Sequence, residues 1–127
     1  MRPTLIALLA MCLCLPLMGA DKDMPLPKDL KSLKALAEKG DTRAQNNLGL
    51  RYSIGQDDRE AVKWYRKAAD QGYAEAQYTL GRMYYKGQGV EKDDEEAVKW
   101  YRKVAEQGYP FGQNKLGLMY WEGEGVP

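Results

Sequence analysis

The sequence predicts an all-α fold, a solenoid of stacked antiparallel helix pairs. Two observations carry this expectation. The segment DDREAVKWYRKAADQGY at 57–73 returns as DDEEAVKWYRKVAEQGY at 93–109, identical at 14 of 17 positions. Around both copies, apolar residues recur at the three- and four-residue steps of an amphipathic helix. Self-similarity at a fixed period of about 20–50 residues is the signature of repeat architectures. A catalytic site has little reason to be written twice, whereas a helix that meets the same neighbours twice does.

The first twenty residues, MRPTLIALLAMCLCLPLMGA, combine a basic start at Arg2, an apolar run and small residues at Gly19 and Ala20. That layout predicts a signal peptide at 1–20, cleaved after Ala20, and export to the periplasm. An apolar stretch of about 17 residues broken by Pro16 is short for a membrane span, which needs roughly 20. Met11 and Leu13 are bulky where a lipoprotein signal carries small residues ahead of its cysteine, which argues against lipid attachment at Cys12 or Cys14. Cleavage leaves 107 residues, enough for one modest domain. It also removes both cysteines, so the remaining fold stands on packing without disulfides. Arg2 is the one charged residue removed, leaving 18 basic against 18 acidic side chains. Balanced charge disfavours nucleic acid and anionic membrane as partners.

Residues 21–28 carry Pro25 and Pro27 and read as an extended leader. Residues 29–40 place Leu30, Leu33, Leu36 and Ala37 on one face and align with the second helices when Gly40 is set on Gly72, predicting an N-terminal capping helix. Repeat 1 spans 41–72, repeat 2 spans 73–108, and 109–127 holds the first helix of a third. Ala44, Gln45, Leu48, Gly49, Tyr52 and Gly55 recur as Ala76, Gln77, Leu80, Gly81, Tyr84 and Gly87. Gln113, Leu116, Gly117, Tyr120 and Gly123 follow in the third unit. The offsets are 32 and then 36 residues, because the turn after the first helix lacks the GVEK present in the second copy. In the second copy Ala76, Leu80, Met83 and Tyr84 line the first helix, and Ala97, Val98, Tyr101, Val104 and Ala105 the second. A mid-helix glycine at 81 costs about 1 kcal/mol against alanine, so its recurrence predicts the close approach of a neighbouring backbone. Asp57 with Glu60, and Asp93 with Glu96, have capping-box spacing. Gly72 and Gly108 stand where a left-handed residue ends the helix. Leu116 and Tyr120 lack a covering second helix and are expected to be partly exposed.

The pattern A-x(3)-LG-x(2)-Y-x(2)-G-x-GV followed by D-x(2)-EAVKWYRKAA-x-QG resembles the Sel-one-like repeat (SLR) family, a relative of the tetratricopeptide repeat, over residues 40–127. The resemblance implies a right-handed superhelix whose first helices line a concave surface. It implies protein or peptide binding rather than chemistry, and it confers no catalytic residue on any position. Some secreted relatives are regarded as β-lactamase-like, but those resemble cysteine-rich forms, and here every cysteine lies in the first twenty residues.

Most other candidate sites have a simpler structural explanation. The Trp64-Tyr65-Arg66-Lys67 and Trp100-Tyr101-Arg102-Lys103 runs look like an aromatic–basic ligand site, yet duplication in a solenoid core explains them as packing with lysine stems beside the indoles. Asp57, Asp58, Asp93, Asp94, Glu95 and Glu96 suggest a cation site, but carboxylates at helix starts serve the free N–H groups and the dipole. No calcium-type loop is present, so no metal or cofactor is expected. Gly87-x-Gly89 and Gly123-x-Gly125 lack the strand and the lysine–hydroxyl pair of a phosphate loop and read as turns. With no histidine and no retained cysteine, nucleophilic and general-base chemistry has little to draw on. A cell-envelope enzyme of the β-lactamase-like or peptidoglycan-hydrolase type is therefore an alternative reading only. A half-module that completes its third repeat with a partner chain is the other.

What differs between copies is a single stripe on the first helices, away from the Leu/Gly/Tyr packing face. It comprises Asn46, Leu50 and Ser53, then Tyr78, Arg82 and Tyr85, then Asn114, Leu118 and Trp121. Aromatic, arginine and asparagine side chains suit recognition. The stripe is the expected groove of an exported interaction module, an adaptor or scaffold, with Arg82 placed to hold a carboxylate.

Overall fold

The computed structural model describes residues 24–127; the expected signal peptide lies outside the described residues. Among the described residues all regular structure is helical: α1 (Leu30–Glu38), α2 (Thr42–Ile54), α3 (Asp58–Asp70), α4 (Ala74–Lys86), α5 (Asp94–Glu106) and α6 (Pro110–Glu122). Helices α2, α4 and α6 are the first helices of successive units, and α3 and α5 are the second helices.

Sequence-local chemistry sets the helix ends. Asp41 caps α2 by accepting from the Ala44 N–H at 2.8 Å. Asp57 and Asp93 accept from the N–H groups of Glu60 and Glu96 at 3.2 and 3.1 Å. Only half of each capping box forms. The Glu60 and Glu96 carboxylates reach forward to Lys63 and Lys99 at 3.2 and 3.0 Å rather than back to the cap. Helix α6 starts on Pro110, whose missing N–H costs nothing at that position. The turn after α2 departs from its equivalents. Gly87 and Gly123 take the left-handed conformation after α4 and α6, but after α2 that role falls to Gln56 (φ 64°), while Gly55 stays at φ −74°. Four fewer residues in the turn shift the reversal by one position.

All the substantial helix–helix contacts join consecutive elements, from α1 on α2 through to α5 on α6. The core is accordingly a chain of linked clusters. Leu33 and Ala37 of α1 pack with Ala44 and Leu48 of α2, and Trp64 of α3 reaches into the same cluster. The apolar faces of α3 and α4 form the next, into which Trp100 of α5 reaches in the same way. Ala97, Val98 and Tyr101 of α5 close on Met119 of α6. Each tryptophan of a second helix thereby ties its own unit to the preceding one, with Lys67 and Lys103 placed 4.3 and 5.2 Å from the indole centroids.

The repeated mid-helix glycines accommodate rings rather than a backbone. A Cβ on residue 49 would stand 3.0 Å from the Tyr65 ring, and one on residue 81 would stand 2.9 Å from the Tyr101 ring. A glutamine relay runs beside this contact. Gln45 donates to the Ala37 carbonyl at 3.1 Å and accepts from Gln71 at 2.8 Å. Gln77 donates to the Ala69 carbonyl at 3.0 Å and accepts from Gln107 at 2.7 Å. Each relay crosses three successive helices, so it fixes their relative height.

Gly81→Ala improves helix propensity by about 1 kcal/mol yet forces the Tyr101 ring to move, at a cost of about 2 kcal/mol. We expect a net loss of about 1 kcal/mol, measured by urea denaturation.

Candidate functional site

The stripe predicted from the sequence divides into three environments. In the first unit Asn46 is 8% exposed and its Oδ1 is buried without a hydrogen-bond partner. Ser53 donates to Asp58 Oδ1 at 3.3 Å and so closes the short turn. Leu50 alone of that trio presents open surface. The expectation of a groove wall there is thus reduced to one side chain, because Asn46 is buried and Ser53 is drawn into the turn.

The second unit gathers the most chemistry. Tyr78 is half-buried, 5.5 Å from the Tyr101 ring and 5.1 Å edge-on to Phe111. Arg82 is exposed, and among the described residues it makes no ion pair or hydrogen bond. Its charge acts on the hydroxyls of both Tyr65 and Tyr101, from the second helices on either side of it. The phenols beside it are shifted. Burial pushes Tyr65 up to about 12, with Arg82 opposing and Glu75 and Asp58 reinforcing. Burial raises Tyr101 further, helped by Tyr78 and Tyr85 and opposed by Arg82. The Tyr101 hydroxyl is buried with no partner. Tyr85 forms the far edge, with Lys115 and Lys92 at 4.2 and 4.7 Å from its ring centroid. The Glu124 carboxylate near its hydroxyl holds the phenol above its ordinary range. Lys92 is anchored by the Tyr85 carbonyl at 2.8 Å and by Asp94 at 2.7 Å.

In the third unit Asn114, Leu118 and Trp121 are all exposed, Trp121 at 89%. The structure brings Tyr78, Arg82 and Tyr85 together with three residues outside the predicted stripe: Tyr65, Tyr101 and Lys115. Tyr65 and Tyr101 lie on the apolar face of the second helices, a position that the sequence gives over to packing. Their hydroxyls nonetheless feel the charge of the exposed arginine. Arg66 and Arg102, from the same WYRK runs, donate to the Tyr84 and Tyr120 hydroxyls of the following first helices. That makes each run a strut between units. Among the described residues no three acidic, histidine or cysteine side chains converge as metal ligands. No described helix is long and apolar enough to cross a membrane.

Helix pairs stacked through nearest neighbours, with a variable polar–aromatic face on the first helices, define a tetratricopeptide-like helical repeat protein. The family model for the Sel1 repeat matches residues 42–73, 74–109 and 110–127. The chain belongs to the Sel1 repeat family, a protein-interaction repeat fold. It is similar to a solved structure of a protective antigen from uropathogenic Escherichia coli displaying an SLR fold, at 46% identity and a TM-score of 0.75. That match covers 79% of this chain and 22% of the antigen's length. It is also similar to a Sel1 repeat protein from Oxalobacter formigenes, at 43% identity and a TM-score of 0.70, covering 79% of this chain and 78% of that one. These neighbours are SLR repeat solenoids, and the all-α stack of helices seen here is the same fold. None of the curated proteins matches this chain.

The shifted phenols set the alkaline limit of stability. A folded-state pKa above the unfolded value of about 10 means that the folded protein keeps protons the unfolded chain has lost. Stability is therefore full below about pH 10 and falls as pH rises towards 12. Tyr101→Phe removes a partnerless hydroxyl, so stability at pH 7 stays within about 1 kcal/mol of the parent. The alkaline decline becomes shallower, measured as urea midpoint against pH from 8 to 12.

Proposed function

We propose that the protein is an exported interaction module of the cell envelope that binds a protein segment along its first-helix face. The observation that carries this reading is Arg82: an exposed guanidinium on the middle helix, flanked by Tyr78 and Tyr85, with no carboxylate of the described residues paired to it. An arginine fork without a partner suits a carboxylate, and half-buried tyrosines supply rigid area beside it at low entropic cost. The ligand best fitted is an extended peptide with an acidic side chain or C-terminal carboxylate at Arg82. Its apolar residues would run towards Leu118 and Trp121 on one side and Leu50 on the other. Export rests on the residue pattern at 1–20. The similarity to a bacterial protective antigen supports an envelope or surface setting without naming a partner.

Arg82→Ala removes a charge-assisted contact of about 1.5–3 kcal/mol, so affinity for an acidic extended peptide falls roughly 10- to 100-fold. Fluorescence anisotropy over a peptide array that contains acidic and amidated versions of each sequence reads this directly. Equal binding by Arg82→Ala and the parent overturns the groove.

A further inference from the structure

Helices α2, α4 and α6 differ in how they start. Asp41 caps α2 through its side chain, whereas Tyr73 and Tyr109 hold the same position on α4 and α6 and make no side-chain cap bond. Asp, Asn, Ser and Thr are the residues that satisfy a helix start, so a tyrosine there forgoes that bond. Two residues further on, the three copies carry Arg43, Glu75 and Phe111. A notch of about 370 Å³ results, with Gly72, Tyr73 and Glu75 on one side and Gln107, Tyr109 and Phe111 on the other. Its walls are the turns after α3 and α5, so it lies between two units of this chain and not at an end of the stack. A unit added beyond α6 would stand to Tyr109 as Tyr109 stands to Tyr73, lengthening the row without closing the notch.

Three rings and one carboxylate meet there. Tyr73 is half-buried against the α3/α4 cluster. Tyr109 and Phe111 are 44% and 41% exposed with ring centroids 5.4 Å apart, so packing leaves much of each ring open. Glu75 is exposed, and among the described residues it makes no ion pair. Its charge reaches the Tyr73 hydroxyl: burial raises that phenol, Glu75 adds to the rise, Arg43 opposes it, and Tyr109 and Asp41 reinforce it. Arg43 itself donates to the Met24 carbonyl. The helix starts on either side carry partial positive charge, which Glu75 in the first turn of α4 offsets and Pro110, with no N–H, lessens on α6.

We propose that this notch receives the guanidinium of an arginine carried by a protein segment. The faces of aromatic rings attract a cation. A planar guanidinium both stacks on such rings and forks onto a carboxylate, which a compact ammonium does not. A neutral or acidic group would leave the Glu75 charge unanswered. Continuity points to a segment rather than a free small cation: Phe111 stands 5.1 Å edge-on to Tyr78, so the notch adjoins the first-helix stripe. In that choice of occupant the inference rests on the interaction-module reading. Arg82 takes no part in the notch, so the two can fail separately.

The probe is a blocked heptapeptide with arginine at its centre and alanine elsewhere, titrated into isotope-labelled protein and followed by NMR. We expect saturable shifts at Tyr73, Glu75, Tyr109 and Phe111, with a Kd of about 1 mM, and upfield ring-current shifts of the arginine methylene protons. The same peptide with citrulline, which keeps the shape and lacks the charge, binds at least about tenfold more weakly. Glu75→Gln weakens the arginine peptide about fivefold. Tyr109→Ser removes a ring and supplies a capping hydroxyl, so the melting temperature holds while the shifts are lost. Arg82→Ala leaves this titration unchanged, and Glu75→Gln leaves the affinity for acidic peptides unchanged. No saturation by about 20 mM overturns the proposal, and so does equal binding of the citrulline peptide or by Glu75→Gln. Methylguanidinium binding as tightly as the heptapeptide assigns the notch to a free small cation, and overturns the protein segment as its occupant.

Discussion

A tyrosine ring resting where a glycine has no side chain is the contact on which the stack depends. Tyr65 on Gly49 and Tyr101 on Gly81 bring the two helices of each pair closer than any larger residue would permit. Two consequences follow from that distance. The first is that Trp64 and Trp100, one residue before each tyrosine, reach past their own unit into the preceding one. The second is that the glutamines four residues before each glycine come within hydrogen-bonding range of three helices at once. Packing and polar bonds therefore report the same spacing, and agreement between levels is what gives a fold a single deep minimum.

The candidate site is a by-product of this economy of contact. Each first helix commits its Ala/Leu/Gly/Tyr face to the neighbouring helices, which leaves the remaining face less constrained by packing. On α4 that face carries Arg82, whose charge acts on the hydroxyls of Tyr65 and Tyr101, tyrosines whose rings serve the core. One residue type thus does two jobs: the ring holds the pair together and the hydroxyl feels the charge of the one arginine of the stripe. Because contacts run mainly between neighbours, substitution on one first helix need not propagate to the others.

The fold was legible because duplication made the helix periods unambiguous. Helix number, pairing and stacking all follow from the 57–73 and 93–109 copies and from the glycines that punctuate them. What lay beyond sequence reasoning was local. The shortened turn after α2 moves the left-handed residue from the aligned glycine to Gln56, a shift that alignment of the copies hides. It also brings Ser53 onto Asp58 and removes it from the stripe. The glycines were legible as points of close approach, but whether a backbone or a ring approaches depends on side-chain direction across the pair. The stripe itself was legible as a register, not as a surface. Asn46 and Tyr78 occupy equivalent positions, yet one is buried and the other lies between the Tyr101 and Phe111 rings.

At the other end of the molecule, Arg43 donates to the Met24 carbonyl at 3.1 Å and Arg51 to the Lys28 carbonyl at 2.5 Å. Both bonds grip main-chain oxygen, which every amino acid offers alike. Apart from Leu26, which tucks against the first cluster, the lettering of this strap is free to drift while its route over α1 stays fixed. Fastening through main-chain oxygen separates where this segment lies from which side chains it carries.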